Sequence, residues 1–215
     1  MPPRFSTVSC RGEREYVFSP TNTALLVIDL QKDFFADSEN THPNGMLAIL
    51  PRVSLLIETM RTLGCKIIYT RETYRSDMSD VSAYRHSLDY VGKPGELGRF
   101  LIAGETGQSF VESIQPLPDE TVIDKASFGA FYNTALNQIL QEEGISHLVL
   151  CGVTTQCCVH STLREAVDRG YWCLTIADCC AASEPGLHDA ALSLIAGEGH
   201  LFGWVANLGD VEAST

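Results

Sequence analysis

Short apolar runs without polar alternation recur along this chain, and most are followed by a stretch of helical periodicity that stops at a glycine. The runs are TALLVIDL (23–30), KIIYTR (66–71), ETVIDK (120–125), SHLVLCGV (146–153), YWCLTIAD (171–178) and HLFGWV (200–205). Between them lie MLAILPRVSLLIETMRTLGC with Gly64 near its stop, FYNTALNQILQEEG ending at Gly144, TLREAVDRG ending at Gly170, and LHDAALSLIAGEG. A strand that does not alternate is buried on both faces, which is the condition of a parallel sheet covered by helices. The repeated strand–helix order therefore predicts a doubly wound α/β fold. It has a mostly parallel six-stranded sheet with helices on both faces, a Rossmann-like three-layer sandwich. Residues 1–20 read as an arm that docks on the domain or on a neighbouring subunit, and residues 21–215 as one domain. The least regular stretch, Ser76 to Pro118, reads as an excursion over the active site.

Composition excludes several classes. A formal charge of −12 with scattered Lys and Arg argues against a nucleic-acid partner, which needs a clustered basic surface. No apolar run approaches the roughly 18 residues of a membrane span. The opening MPPRFSTVSCRGEREYVFSP lacks the apolar centre of a secretory signal, so a cytoplasmic enzyme is expected. Of the eight cysteines, several sit in apolar segments such as HLVLCGV and YWCLTIADCC, where a reduced thiol acts as a small core residue. No Cys or His spacing matches a zinc site, and no disulfide framework is expected without a secretory signal.

Ligands of open parallel sheets bind beyond the carboxyl ends of the strands. Asp29, Arg71, Lys125 and Asp178 close predicted strands there, and GVTTQCCVH follows the fourth. Alone, Asp29 is as compatible with a loop-opening carboxylate, and Lys125 with a solvated lysine; together they converge on one connection. Cys158 lies in the turn from a buried strand into a helix, where unpaired N–H groups, the helix dipole and a nearby ammonium favour a thiolate. An inert buried cysteine at a helix start is the other reading. Cys157, about 100° away around a helix, should not face the same pocket. His160, two positions along, also points elsewhere, so the candidate base is Asp29.

Three segments in order, TALLVIDLQKDFF, VIDKASFGAFYNTAL and LVLCGVTTQCCVHSTLREAVDRGYWCLTIADCCAAS, resemble the isochorismatase-like cysteine hydrolase family from about Asn22 to Val205. The resemblance implies a catalytic set of Asp29, Lys125 and the nucleophile Cys158, and a cis peptide bond between Val153 and Thr154. It implies amide hydrolysis through a thioester, with Asp29 as base in both halves and the N–H groups of Thr154 and Cys158 holding the oxyanion. Within the family the likeness is greatest to members acting on ureido compounds, of the biuret type, with triuret and ureidoacrylate as neighbours. Other small amides (an N-carbamoyl amino acid or nicotinamide) are the alternative substrates, and a redox-sensitive scaffold without catalysis is the alternative of another class. Family members that bind a metal carry Asp and His after the second strand. Here that position reads TRETY, so no metal and no cofactor is expected. Phe34, Arg71 and Glu198 are the candidate substrate contacts, with His200 beside the last. A homo-oligomer, dimer or tetramer, is expected.

Overall fold

The computed structural model describes residues 5–36, 45–184 and 186–214. Ten strands occur along them: β1 Ser6–Cys10, β2 Arg14–Phe18, β3 Thr23–Ile28, β4 Lys66–Glu72, β5 Pro94–Gly95, β6 Gly98–Arg99, β7 Thr121–Lys125, β8 His147–Val153, β9 Trp172–Ala181 and β10 Trp204–Ala206. The helices are α1 Leu50–Leu63, α2 Ala83–Ser87, α3 Leu136–Glu142, α4 His160–Asp168, α5 Leu187–His200 and α6 Leu208–Glu212. Six strands form one sheet in the order β10-β9-β8-β3-β4-β7, with every pairing parallel. β3 lies inside it and all six of its residues are buried, which is why its run shows no alternation.

The pleat divides β3 between two cores. Leu25 and Val27 face a cluster with Val53, Leu56 and Met60 of α1 and with Leu208 and Val211 of α6. Ala24, Leu26 and Ile28 face Leu136 of α3, Leu163 of α4 and Leu192 and Ile195 of α5. Each such aliphatic side chain contributes about 1.5–3 kcal/mol when fully buried, and helices on both faces complete the doubly wound sandwich.

Three elements depart from the sequence reading. The sixth strand is shorter than 200–205, because Gly197, Glu198 and Gly199 leave helical geometry and the chain must turn before Trp204. The fifth is longer and runs to Ala181, with a register shift opposite Leu150 and Gly152. Asp178 is therefore not a strand end; its Oδ1 accepts the N–H of Leu208 at 2.8 Å. Residues 6–18, expected to dock as an arm, form the antiparallel hairpin β1–β2. Val8, Tyr16 and Phe18 of this hairpin join the α1-side core, and Tyr16 donates its phenol to the carbonyl of Trp172 at 3.0 Å. The segment between β4 and β7 has a small core of its own, Tyr74, Val81, Val91, Leu101 and Ile102. Among the described residues no helix is long and apolar enough to cross a membrane.

Candidate active site

β3 ends one residue before Asp29, whose backbone turns left-handed at φ 53° while its N–H still pairs with the carbonyl of Thr70 at 3.1 Å. Gln31 then continues the β3–β4 pairing with its side chain: it donates to the Glu72 carbonyl at 2.9 Å and accepts the Glu72 N–H at 2.7 Å. Across the sheet, Gly152 of β8 takes φ 119°, and a side chain there would strike the carbonyl of Ile28. Only glycine allows the two backbones to approach so closely. The chain then passes through a cis Val153–Thr154 bond into a π-helical turn, Thr155–Val159.

Asp29, Lys125 and Cys158 meet at this end of the sheet. The side chains of Asp29 and Lys125 are fully buried and joined at 2.7 Å. Thr70 donates to the other Asp29 oxygen at 2.7 Å, and Lys125 also donates to the carbonyl of Ser127 at 2.8 Å. Burial alone would lower the Lys125 pKa, but Asp29, Cys158 and Glu72 together hold it above the ordinary lysine value. Such a pair contributes little net stability, yet losing one partner strands a buried charge. Asp29 and Lys125 are not on neighbouring strands: β4 lies between β3 and β7, and the lysine reaches across its end.

That intervening strand supplies the residue the sequence reading missed. Glu72, the last residue of β4, sits in register with Lys125. Strand pleating sends Thr70 and Glu72 to one face and Arg71 to the other. Glu72 is buried. Its Oε1 accepts from Tyr74 at 2.9 Å, Arg85 at 3.0 Å and Tyr90 at 3.3 Å. Its Oε2 lies 3.9 Å from Cys158 Sγ. The pattern TRETY offered only one signal, an acidic residue at a strand end.

The thiol differs from expectation. A hydrogen bond shared with Cys157, burial, and the Asp29 and Glu72 carboxylates push the Cys158 pKa well above the ordinary thiol value, with Lys125 opposing in part. The expectation counted the ammonium and the helix start but not the two carboxylates. It also assumed α-helical spacing between Cys157 and Cys158, whereas the wider π turn lets the two thiols interact.

Two expected substrate contacts lie elsewhere. Arg71 makes a two-bond pair with Asp124, at 2.7 and 3.0 Å, and lies over the Phe110 ring, on the face opposite Glu72. Glu198 is exposed and precedes β10, so it stands at the amino end of the sheet, with His200 stacked on Trp204. Phe34 is half-buried, edge-on to Phe100 at 5.7 Å. The guanidinium that does reach the site is Arg85, which lies over the Phe128 ring at 3.3 Å. Arg85 and Phe128 also line a groove of about 1030 Å³ together with Tyr74, Tyr84 and Tyr132.

Asp29, Glu72 and Cys158 bring one ligand-type atom each within 4.8 Å of one another. Lys125 and Arg85 already neutralise the two carboxylates, so the cluster fits a divalent cation poorly.

A family model described as Isochorismatase domain matches residues 23–210. The Arabidopsis thaliana protein named "Probable inactive nicotinamidase At3g16190" is 34% identical over 174 residues, covering 79% of this chain and 85% of that protein. "Ureidoacrylate amidohydrolase RutB" of Pantoea ananatis is 28% identical over 206 residues, 89% of this chain and 81% of that protein. The crystal structure of an isochorismatase family protein from Desulfovibrio vulgaris superposes with a TM-score of 0.77 at 25% identity, covering 89% of this chain and 97% of that one. Matched over most of its length by the family model and by such relatives, the chain belongs to the isochorismatase family.

Proposed function

We propose that the chain is an isochorismatase-family hydrolase of non-peptide carbon–nitrogen bonds, with Cys158 as nucleophile and a small neutral ureido compound of the biuret type as substrate. The observation that carries the reading is a buried carboxylate–ammonium pair, Asp29 and Lys125 at 2.7 Å, converging with the Cys158 thiol beyond the carboxyl ends of the strands. Because one relative is named a "Probable inactive nicotinamidase", the reading rests on these groups rather than on membership alone.

A resting thiol needs a base in the attacking step. Asp29 takes the Cys158 proton as Sγ bonds to the substrate carbonyl carbon. The carbon–nitrogen bond then breaks, and Asp29 returns the proton to the departing nitrogen. Lys125 keeps Asp29 oriented through their 2.7 Å contact. The N–H groups of Thr154 and Cys158 hold the oxyanion, a contribution of about 3 kcal/mol per donor in comparable sites. Water hydrolyses the thioester.

Substrate class follows from charge. Asp29 pairs with Lys125 and Glu72 with Arg85, so the two buried cations of the site are already compensated, which favours a neutral group there over a carboxylate. A neutral urea-like group satisfies and is satisfied by several hydrogen bonds, and such a site rejects analogues that leave buried polar groups unpaired. The relative named for ureidoacrylate supports the ureido class. An ammonia-release screen over biuret, triuret, ureidoacrylate, N-carbamoyl amino acids and nicotinamide tests this, with Cys158→Ala as control. The highest specificity constant should fall on biuret or triuret; a strong preference for an anionic substrate overturns the neutral class.

A further inference from the structure

Around Cys158 Sγ the two carboxylates are not equivalent. Both oxygens of Asp29 already accept strong hydrogen bonds, Oδ1 from Thr70 and Oδ2 from Lys125, each at 2.7 Å. In Glu72 three donors crowd onto Oε1, whereas Oε2 has the Cys158 thiol at 3.9 Å as its contact. Glu72 is also braced at the backbone by both bonds from Gln31. One oxygen is thus fixed and the other aimed at the sulfur. A carboxylate held only for structure would distribute its donors over both oxygens, since each has two lone pairs to fill.

The geometry points to Glu72 as a second catalytic carboxylate, the base that activates water in thioester hydrolysis and then returns the proton to Cys158. The inference rests on the thioester reading above. In the step, the water oxygen bonds to the acyl carbon while its proton passes to Glu72 Oε2. The carbon–sulfur bond breaks, its electron pair goes to Sγ, and Glu72 delivers the proton to that sulfur. Acyl-thioester and water become acid and thiol, and Glu72 ends as it began. Asp29 retains the first half-reaction. Burial acts most strongly on the Glu72 carboxyl and, with Asp29, raises its pKa against the opposing pull of Lys125 and Arg85. The shift is in the direction of a better base.

Pre-steady-state kinetics with p-nitrophenyl acetate separates the halves, because nitrophenolate leaves without being protonated. The wild-type chain should show a burst that Cys158→Ala abolishes, followed by turnover. Glu72→Gln should keep the burst and slow the later phase by about 10²-fold or more, with acetylated Cys158 persisting in intact-mass spectra. Asp29→Asn should slow the burst itself. In Glu72→Ala, added formate should restore hydrolysis of the acetyl-enzyme, which a structural role would not permit. Glu72→Asp retains the charge facing Arg85 and withdraws the oxygen from sulfur; it should accumulate acetyl-enzyme too, and it serves if Glu72→Gln fails to fold. An unchanged later phase, or a parallel loss of burst and turnover with no rescue by formate, overturns the role of Glu72. A wild-type chain lacking any Cys158-dependent burst overturns the nucleophile reading itself and this inference with it.

Discussion

The two ends of the one sheet solve burial in opposite ways. At the carboxyl end, Asp29, Lys125, Glu72 and Arg85 are buried charges arranged in two opposed pairs. At the amino end, Tyr16, His147, Trp172, Trp204 and His200 meet stacked, tilted or edge to face with ring centroids 5.5–6.1 Å apart. Aromatic contacts of this kind add about 0.5–1.5 kcal/mol each beyond area burial. Buried ion pairs return little net stability and are costly when broken. The carboxyl end is therefore the expensive one, and what it gains is a set of poised proton carriers around a thiol. The comparison teaches where substitutions should cost activity and where only stability.

Its largest expected break is at Cys158. Cys158→Ala should lower turnover by at least about 10³-fold and leave the circular dichroism spectrum and thermal midpoint close to wild type. Cys157→Ala should remain active. A dead Cys157 variant beside an active Cys158 variant would reassign the nucleophile.

Next comes Lys125→Ala, where both penalties meet. It strands the buried Asp29 carboxylate, so unfolding in urea should show a loss of about 3–5 kcal/mol. It also removes an ammonium that opposes the raised thiol pKa, so alkylation of Cys158 by iodoacetamide should shift to still higher pH. Unchanged stability with a normal alkylation profile would show that the two charges do not act as a pair.

At the amino end the effect is smaller and confined to stability. Burial lowers the His147 pKa below its ordinary 6.5, and at the opposite end, beside the Thr155–Val159 turn, His160 and His188 shift the same way, burial again leading. The native state thus prefers neutral imidazoles. Their contribution is present above the unfolded-state value and is lost as pH falls through the lower folded value. The urea midpoint should fall between about pH 7 and about pH 5, and His147→Gln should flatten part of that fall. A midpoint that rises with acid would reverse the sign.

The smallest effect is expected on the back of β4. Arg71→Ala loses a partly exposed pair with Asp124, so stability should change by no more than about 1 kcal/mol, with KM unchanged for any ureido substrate. A large rise in KM would return Arg71 to the pocket.

Adjacent positions on β4 show what could and could not be read from the chain. The run KIIYTRE identifies a strand, and its pleat implies that Arg71 and Glu72 point oppositely. Which of them faces the nucleophile depends on strands that lie far from Asp29 along the chain and beside it only in space. Chain order did place Asp29, Lys125 and the TTQCCV turn at carboxyl ends, because each follows its own buried run. Glu198 was misjudged for the complementary reason: it precedes its strand, and the positive φ angles at His200 and Gly203 turn the chain within the stretch thought to belong to that strand.

What the sequence by itself determined is therefore local and periodic. Unbroken apolar runs of strand length, helical repeats stopped by glycine, and the residues that directly follow each run establish a doubly wound sheet with one reactive end. Tertiary structure alone decided the order β3-β4-β7 that inserts Glu72 between Asp29 and Lys125, the reach of Arg85 back from the excursion, and the two carboxylates that push the Cys158 pKa up. Strand order is a non-local choice, and charge coupling falls with distance through a buried, poorly screening interior. Neither is written in the spacing of residues along the chain.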